Sequence, residues 1–263
     1  MPLTGKLKEA VVSGMTGLFS HGPTPLECTL DHRGDPGLLG PTSVSWRVLG
    51  DASVFIGGVR ALLVQSAHAE VVAGVEDHST YRHDPLGRLT RTSVYVTETT
   101  YGAMPEVAAA VETVRTAHRP VRGRSARDRP YSAAQPALAA WVHNVLTDSF
   151  LAAYQAFGPA PLTADESDQF VAEQAKIGEL LGAEPLPLRA AELAEWITGH
   201  PDRLRTEAQT NAINFLRRPP LAPPVAVGYR LVLNAAISTI PDDLCDQLDI
   251  HAPRWSREVG QRT

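Results

Sequence analysis

Leu138, Trp141, Val142, Val145, Leu146, Phe150, Tyr154 and Phe157 recur at steps of three and four residues. That spacing puts all of them on one broad face of a single long helix. A face this wide and this apolar cannot be left in water, so other elements must wrap it. The remaining chain reads the same way. Asp84-Pro85 starts a helix, with Asp at the cap and Pro at the first helical position. A helix from about Pro105 to His118 carries the stripe Val107, Val111, Val114, and Pro120 ends it. Thr163 followed by Glu166 is a capping box for a helix to about Gly182. Pro185 and Pro187 break the chain before shorter helices at Ala190–Thr198 and Asp202–Phe215. Gly57-Gly58 marks a point of close backbone approach. Arg119 to Ser132 reads as a polar loop, and no strand pairs are expected. The predicted fold is all-α: an arm over residues 1–42 and one helical domain over 43–263.

A net charge of −5 and a pI near 6.0 argue against a nucleic-acid partner. No run of apolar residues is long enough for a membrane span. The first twenty residues lack the pattern of a signal peptide, and Cys28 and Cys245 have no metal-type spacing. These features lead to the expectation of a soluble cytoplasmic protein.

Phosphate loops, dinucleotide fingerprints and nucleophile elbows are absent from the sequence. The residues able to carry chemistry are histidines on expected helices with arginines nearby. His68, His118 and His143 each fall in an apolar-periodic segment. His118 extends the valine stripe by one turn and stands near Arg115 and Arg122, two cations suited to carboxylates. Arg88, Arg91, Thr92 and Tyr95 share one helical face. Arg124, Arg127 and Arg129 read as solvated loop residues. An alternative reading takes His83-Asp84, with His68 upstream and Asp148 downstream, as the metal set of an all-α phosphohydrolase.

Several segments in order resemble one family. They are Ser43-Val44-Ser45-Trp46, Gly57-Gly58-Val59-Arg60-Ala61-Leu62-Leu63-Val64-Gln65-Ser66-Ala67-His68, Val72-Ala73-Gly74-Val75 with Asp77-His78-Ser79, Asp84-Pro85-Leu86-Gly87-Arg88-Leu89 with Thr92, Arg115-Thr116-Ala117-His118, and Trp141-Val142-His143. This series is similar to the MpaB oxygenase family, which includes the catalytic domain of latex clearing protein, a rubber oxygenase. The resemblance implies a globin-related helical domain that encloses haem b and uses dioxygen on a small organic substrate. It implies His118, in its Arg-x-x-His context, as the iron ligand, with His68 and His143 as rival cofactor contacts. Arg115 and Arg122 would then hold propionates, and Arg88, Arg91 and Thr92 would serve the catalytic face. Where the family has Arg-x-x-Lys-Thr, this chain has Arg91 in the lysine position. Arginine keeps its proton at working pH and is a poor iron ligand. Ala69 stands where the family usually has proline, and Pro120 is a further departure. A haem-binding protein without turnover is the third reading.

Overall fold

The computed structural model describes residues 25–79 and 85–251, with 85–89 and 223–224 described by backbone alone. Eleven α-helices and one short hairpin make up its regular structure, apart from a 3-10 turn at Thr29–His32. The helices are α1 (Val44–Leu49), α2 (Ser53–Gln65), α3 (Ala69–His78), α4 (Pro85–Tyr101), α5 (Met104–His118), α6 (Pro136–Phe157), α7 (Ala164–Leu180), α8 (Ala190–Thr198), α9 (Glu207–Arg217), α10 (Pro223–Ser238) and α11 (Asp242–Leu248). The mostly helical fold agrees with the sequence reading.

The long helix α6 is the centre. It lies along α2, and α7 and α8 also pack on it, while α10 covers another side of α2. Trp141, Val145 and Tyr154 of α6 join Leu63 and Val64 of α2, Phe170, Ile197, Ala236 and Leu244 in one core. Each fully buried large apolar side chain contributes roughly 1.5–3 kcal/mol, so this cluster dominates the stability of the fold. The glycine pair acts through one member only. A Cβ on Gly57 would lie 2.7 Å from Phe150 Cδ1 and 3.0 Å from Ser149 O, whereas one on Gly58 would meet nothing within 4 Å. Gly57 therefore sets how closely α2 approaches α6.

Helix boundaries follow the local chemistry. Thr163 and Glu166 form the reciprocal capping box at α7. Helix α5 ends at His118, as Pro120 requires. Helices α4 and α5 are joined by only Gly102 and Ala103, which makes them antiparallel neighbours. The closed end of this pair is pinned by the preceding segment. Asp35 accepts from the Met104 N–H at 2.9 Å, and Thr29 donates to Glu106.

Three expectations need correction. The stretch after His118 is a hairpin, β1 (Arg122–Arg124) with β2 (Pro130–Ser132), in antiparallel register with Arg122 opposite Ser132. Asp128 closes it with φ +57°, a conformation aspartate tolerates, and its carbonyl and carboxylate accept from Arg124 at 2.7 and 2.8 Å. His68 is not inside a helix. Its backbone is extended, and Nδ1 accepts from the Glu70 N–H at 3.3 Å, so it caps α3. The helix expected from Asp202 begins at Glu207, where the Thr206 hydroxyl accepts from the Gln209 N–H at 3.1 Å. Residues 202–206 instead lie against the start of α3, the Asp202 carbonyl accepting from the Ala69 N–H at 3.3 Å.

Candidate functional site

The site residues expected from sequence fall into three places. The first is the open end of the α4–α5 pair. His118 and Arg115 are exposed on the last turn of α5, and Arg122 is exposed on β1. Val107 and Val111 are buried, but the stripe fades before His118. Arg115 donates to the Leu180 carbonyl at 2.6 Å, and Arg122 to the Arg119 carbonyl at 2.8 Å. Among the described residues neither guanidinium is paired with a carboxylate. On α4, Arg91 is exposed and Thr92 half-buried. Arg88 lies on the first turns of α4, and its side chain is outside the described residues, as are His83 and Asp84.

The second place is a small cavity of about 20 Å³ between α4, α6 and α7, room for about one water. Tyr95, Val96, Thr99 and Thr100 line one side, and His143, Phe150, Gln174 and Ile177 line the others. Burial lowers the pKa of His143 to about 4, so the ring is neutral. The Tyr95 hydroxyl is buried with no hydrogen-bond partner, and burial raises its pKa. An unpaired hydroxyl of this kind is costly unless something else satisfies it. Tyr95 stands one turn beyond Thr92 on the same face of α4.

The third place is a polar cluster around His68 that brings together distant parts of the chain. His68 is 2% exposed. Its Nδ1 is 3.5 Å from Glu70 Oε2 and its Nε2 is 4.0 Å from Asp202 Oδ2. The ring lies tilted against those of His200 (centroids 5.1 Å apart) and Trp141 (5.3 Å). Arg127 reaches both Glu70 and Asp202 at 2.6 Å, and Arg129 reaches Asp202 at 2.7 Å. Arg127 is thus a half-buried, ion-paired residue and not a solvated one, whereas Arg129 is ion-paired but exposed, as expected of a solvated loop residue. Burial and the nearby His200 lower the pKa of His68 to about 4. Burial opposes ionisation of Glu70, but hydrogen bonds from Arg127 and Ser125 outweigh it and hold the pKa below the usual range. Sequence reasoning missed His200, Asp202 and Glu70; the only local signal was the short run His200-Pro201-Asp202.

The metal set of the phosphohydrolase reading is not assembled among the described residues. Asp148 is committed to the buried Arg60 at 2.6 Å, while the carboxylates nearest His68 are Glu70 and Asp202.

The described residues form a mostly helical protein built on one central helix, with a single short hairpin and three separate groupings of polar residues. The sequence profile of the family described as ER-bound oxygenase mpaB/B'/Rubber oxygenase, catalytic domain, matches residues 46–262. The chain belongs to that oxygenase family. No curated protein and no solved structure matches it. None of the described helices is long and apolar enough to cross a membrane.

Proposed function

We propose that this protein is a haem b-dependent oxygenase that uses dioxygen on a small organic substrate in the cytoplasm, with a globin-related helical domain enclosing the cofactor. The observation that carries the proposal is the family match combined with the geometry of the α4–α5 pair. Arg88 and His118 lie fifteen residues to either side of Ala103, and Arg91 and Arg115 twelve. At ~1.5 Å per residue in antiparallel neighbours, the two Arg-x-x motifs come level at the same open end.

The donor set fits haem. His118 would hold the iron through its exposed imidazole. Arg115 and Arg122 are cations whose described partners are carbonyls alone, so propionates can take them without breaking an ion pair. The orphaned Tyr95 hydroxyl lines the separate α4–α6–α7 cavity and is not part of this donor set. The cavity beside Tyr95 has room for about one water and not for a macrocycle, so His143 is a buried neutral wall residue there.

Haem, when bound, supplies the redox activation of dioxygen. The chain's own groups then bind and orient. Arg91 presents the planar, donor-only guanidinium fork in the place where the family's lysine stands. Arg88 and Thr92, on the same face, orient a polar or carboxylated group of the substrate. His118 is held at a helix end, where backbone carbonyls can accept its second ring N–H and fix the ligating tautomer.

The test is a pyridine haemochrome assay on protein expressed with a haem precursor, followed by oxygen-electrode measurements with a panel of candidate substrates. About one haem per chain and substrate-dependent oxygen uptake are expected. Haem without uptake across the panel leaves the carrier reading. Well-folded protein with no haem contradicts the proposal.

A further inference from the structure

The His68 cluster is unused by the proposed reaction, and it adjoins a groove of about 460 Å³ lined by His68, Asp202, Glu70, Arg129, Leu138 and Glu184 among others. We propose that His68, His200 and Asp202 form a second site, for one divalent first-row transition-metal ion, opening onto this groove.

Three features point there. One ligating atom from each of the three side chains lies within 4.8 Å of the other two. Ligands of a tetrahedral ion with bonds near 2.0–2.1 Å are roughly 3.4 Å apart, so the widest separation in the cluster has to contract by up to about 1.4 Å. Two imidazoles and one carboxylate form a donor set suited to zinc or ferrous iron, with positions left for water or a ligand.

Second, the flanking groups are those that metal-bound histidine uses. His68 lies between two carboxylates. With its proton on Nδ1, it donates toward Glu70 Oε2, 3.5 Å away, and its Nε2 lone pair faces Asp202 Oδ2. A carboxylate behind a ligating imidazole fixes its tautomer and makes it more basic. Glu70 is itself held by both nitrogens of the Arg127 fork and by the Ser125 hydroxyl at 2.8 Å. The cost is the long 3.3 Å contact between Nδ1 and the Glu70 N–H, and the 3.2 Å contact between His200 Nδ1 and the Asp202 N–H.

Third, Asp202 is oriented before any ion arrives. Arg127 and Arg129 both donate to Oδ1, leaving Oδ2 toward His68. Ala69 contributes here. Its N–H holds the Asp202 carbonyl at 3.3 Å, a bond that a proline at this position cannot make. Trp141 and Trp196, with ring centroids 4.8 and 4.7 Å from that of His200, form an apolar wall behind the cluster.

The experiment is equilibrium dialysis of chelator-treated protein against micromolar Zn²⁺, with zinc and iron measured separately by mass spectrometry so that haem occupancy does not interfere. Wild type should hold one zinc per chain. His200→Ala should lose at least ten-fold in zinc affinity, with an unchanged far-UV circular dichroism spectrum, and Asp202→Asn should lose a comparable factor. His118→Ala should keep the zinc. If His200→Ala does not fold, Asp202→Asn decides. Wild-type protein that takes up no zinc, or folded variants that bind it as wild type does, would overturn the proposal.

Discussion

Arg127 grips Glu70 through two nearly equal bonds, Nε to Oε1 at 2.7 Å and Nη2 to Oε2 at 2.6 Å. The carboxylate is almost fully buried at 6% exposure and the guanidinium is at 22%. A buried charge that loses its partner is far costlier than a broken surface pair. Arg127→Ala should therefore lower stability by about 2–3 kcal/mol, measured by urea unfolding at neutral pH. Arg127→Lys should recover only part, because an ammonium cannot reproduce the planar fork. An unchanged unfolding midpoint for the alanine variant would show that the pair is not a structural clamp.

The adjacent glycines of α2 give opposite expectations. Gly57→Ala forces a methyl against the Phe150 ring and the Ser149 carbonyl, and should cost about 1–3 kcal/mol. Gly58→Ala meets open space in a helix interior and should stabilise by roughly 0.5–1 kcal/mol. Thermal unfolding of both variants checks this, and similar shifts in the same direction would contradict the packing of α2 on α6.

His143 makes the fold sensitive to acid. Its pKa is lowered to about 4 in the folded state by burial, against about 6.5 when unfolded. Between these values the unfolded chain binds the extra proton, so stability rises with pH through that window and is complete above it. The fall from about pH 7 to about pH 4 should cost about 2–3 kcal/mol through this residue. His143→Gln should flatten that part of the stability profile. A variant whose slope between about pH 4 and pH 6.5 equals that of wild type would remove His143 as its cause.

The parts legible in the sequence were those set by local chemistry. The apolar spacing of α6, the Thr163–Glu166 box and the prolines at 85 and 120 each specify a helix or its end without help from elsewhere. The hairpin was not legible because its strands have three residues each, too few for an alternating pattern. His68 reads as helical in the sequence because the apolar residues continue through it. Only the Glu70 N–H and the Asp202 segment show that the chain turns there. The partners of Arg127 are 57 and 75 residues away, a separation that no local pattern reports. His118, Arg115 and Arg122 lie within one stretch of eight residues, so their nearness needed no such long-range information.

His118 as the haem ligand is the central claim, and haem content with the ferric spectrum across three alanine variants tests it most directly. His118→Ala should lose most of the bound haem or change its ferric spectrum, while folded His68→Ala and His143→Ala should keep both close to wild type. If His118→Ala retains haem with an unchanged spectrum and His68→Ala or His143→Ala loses it, the iron is held elsewhere and the account fails.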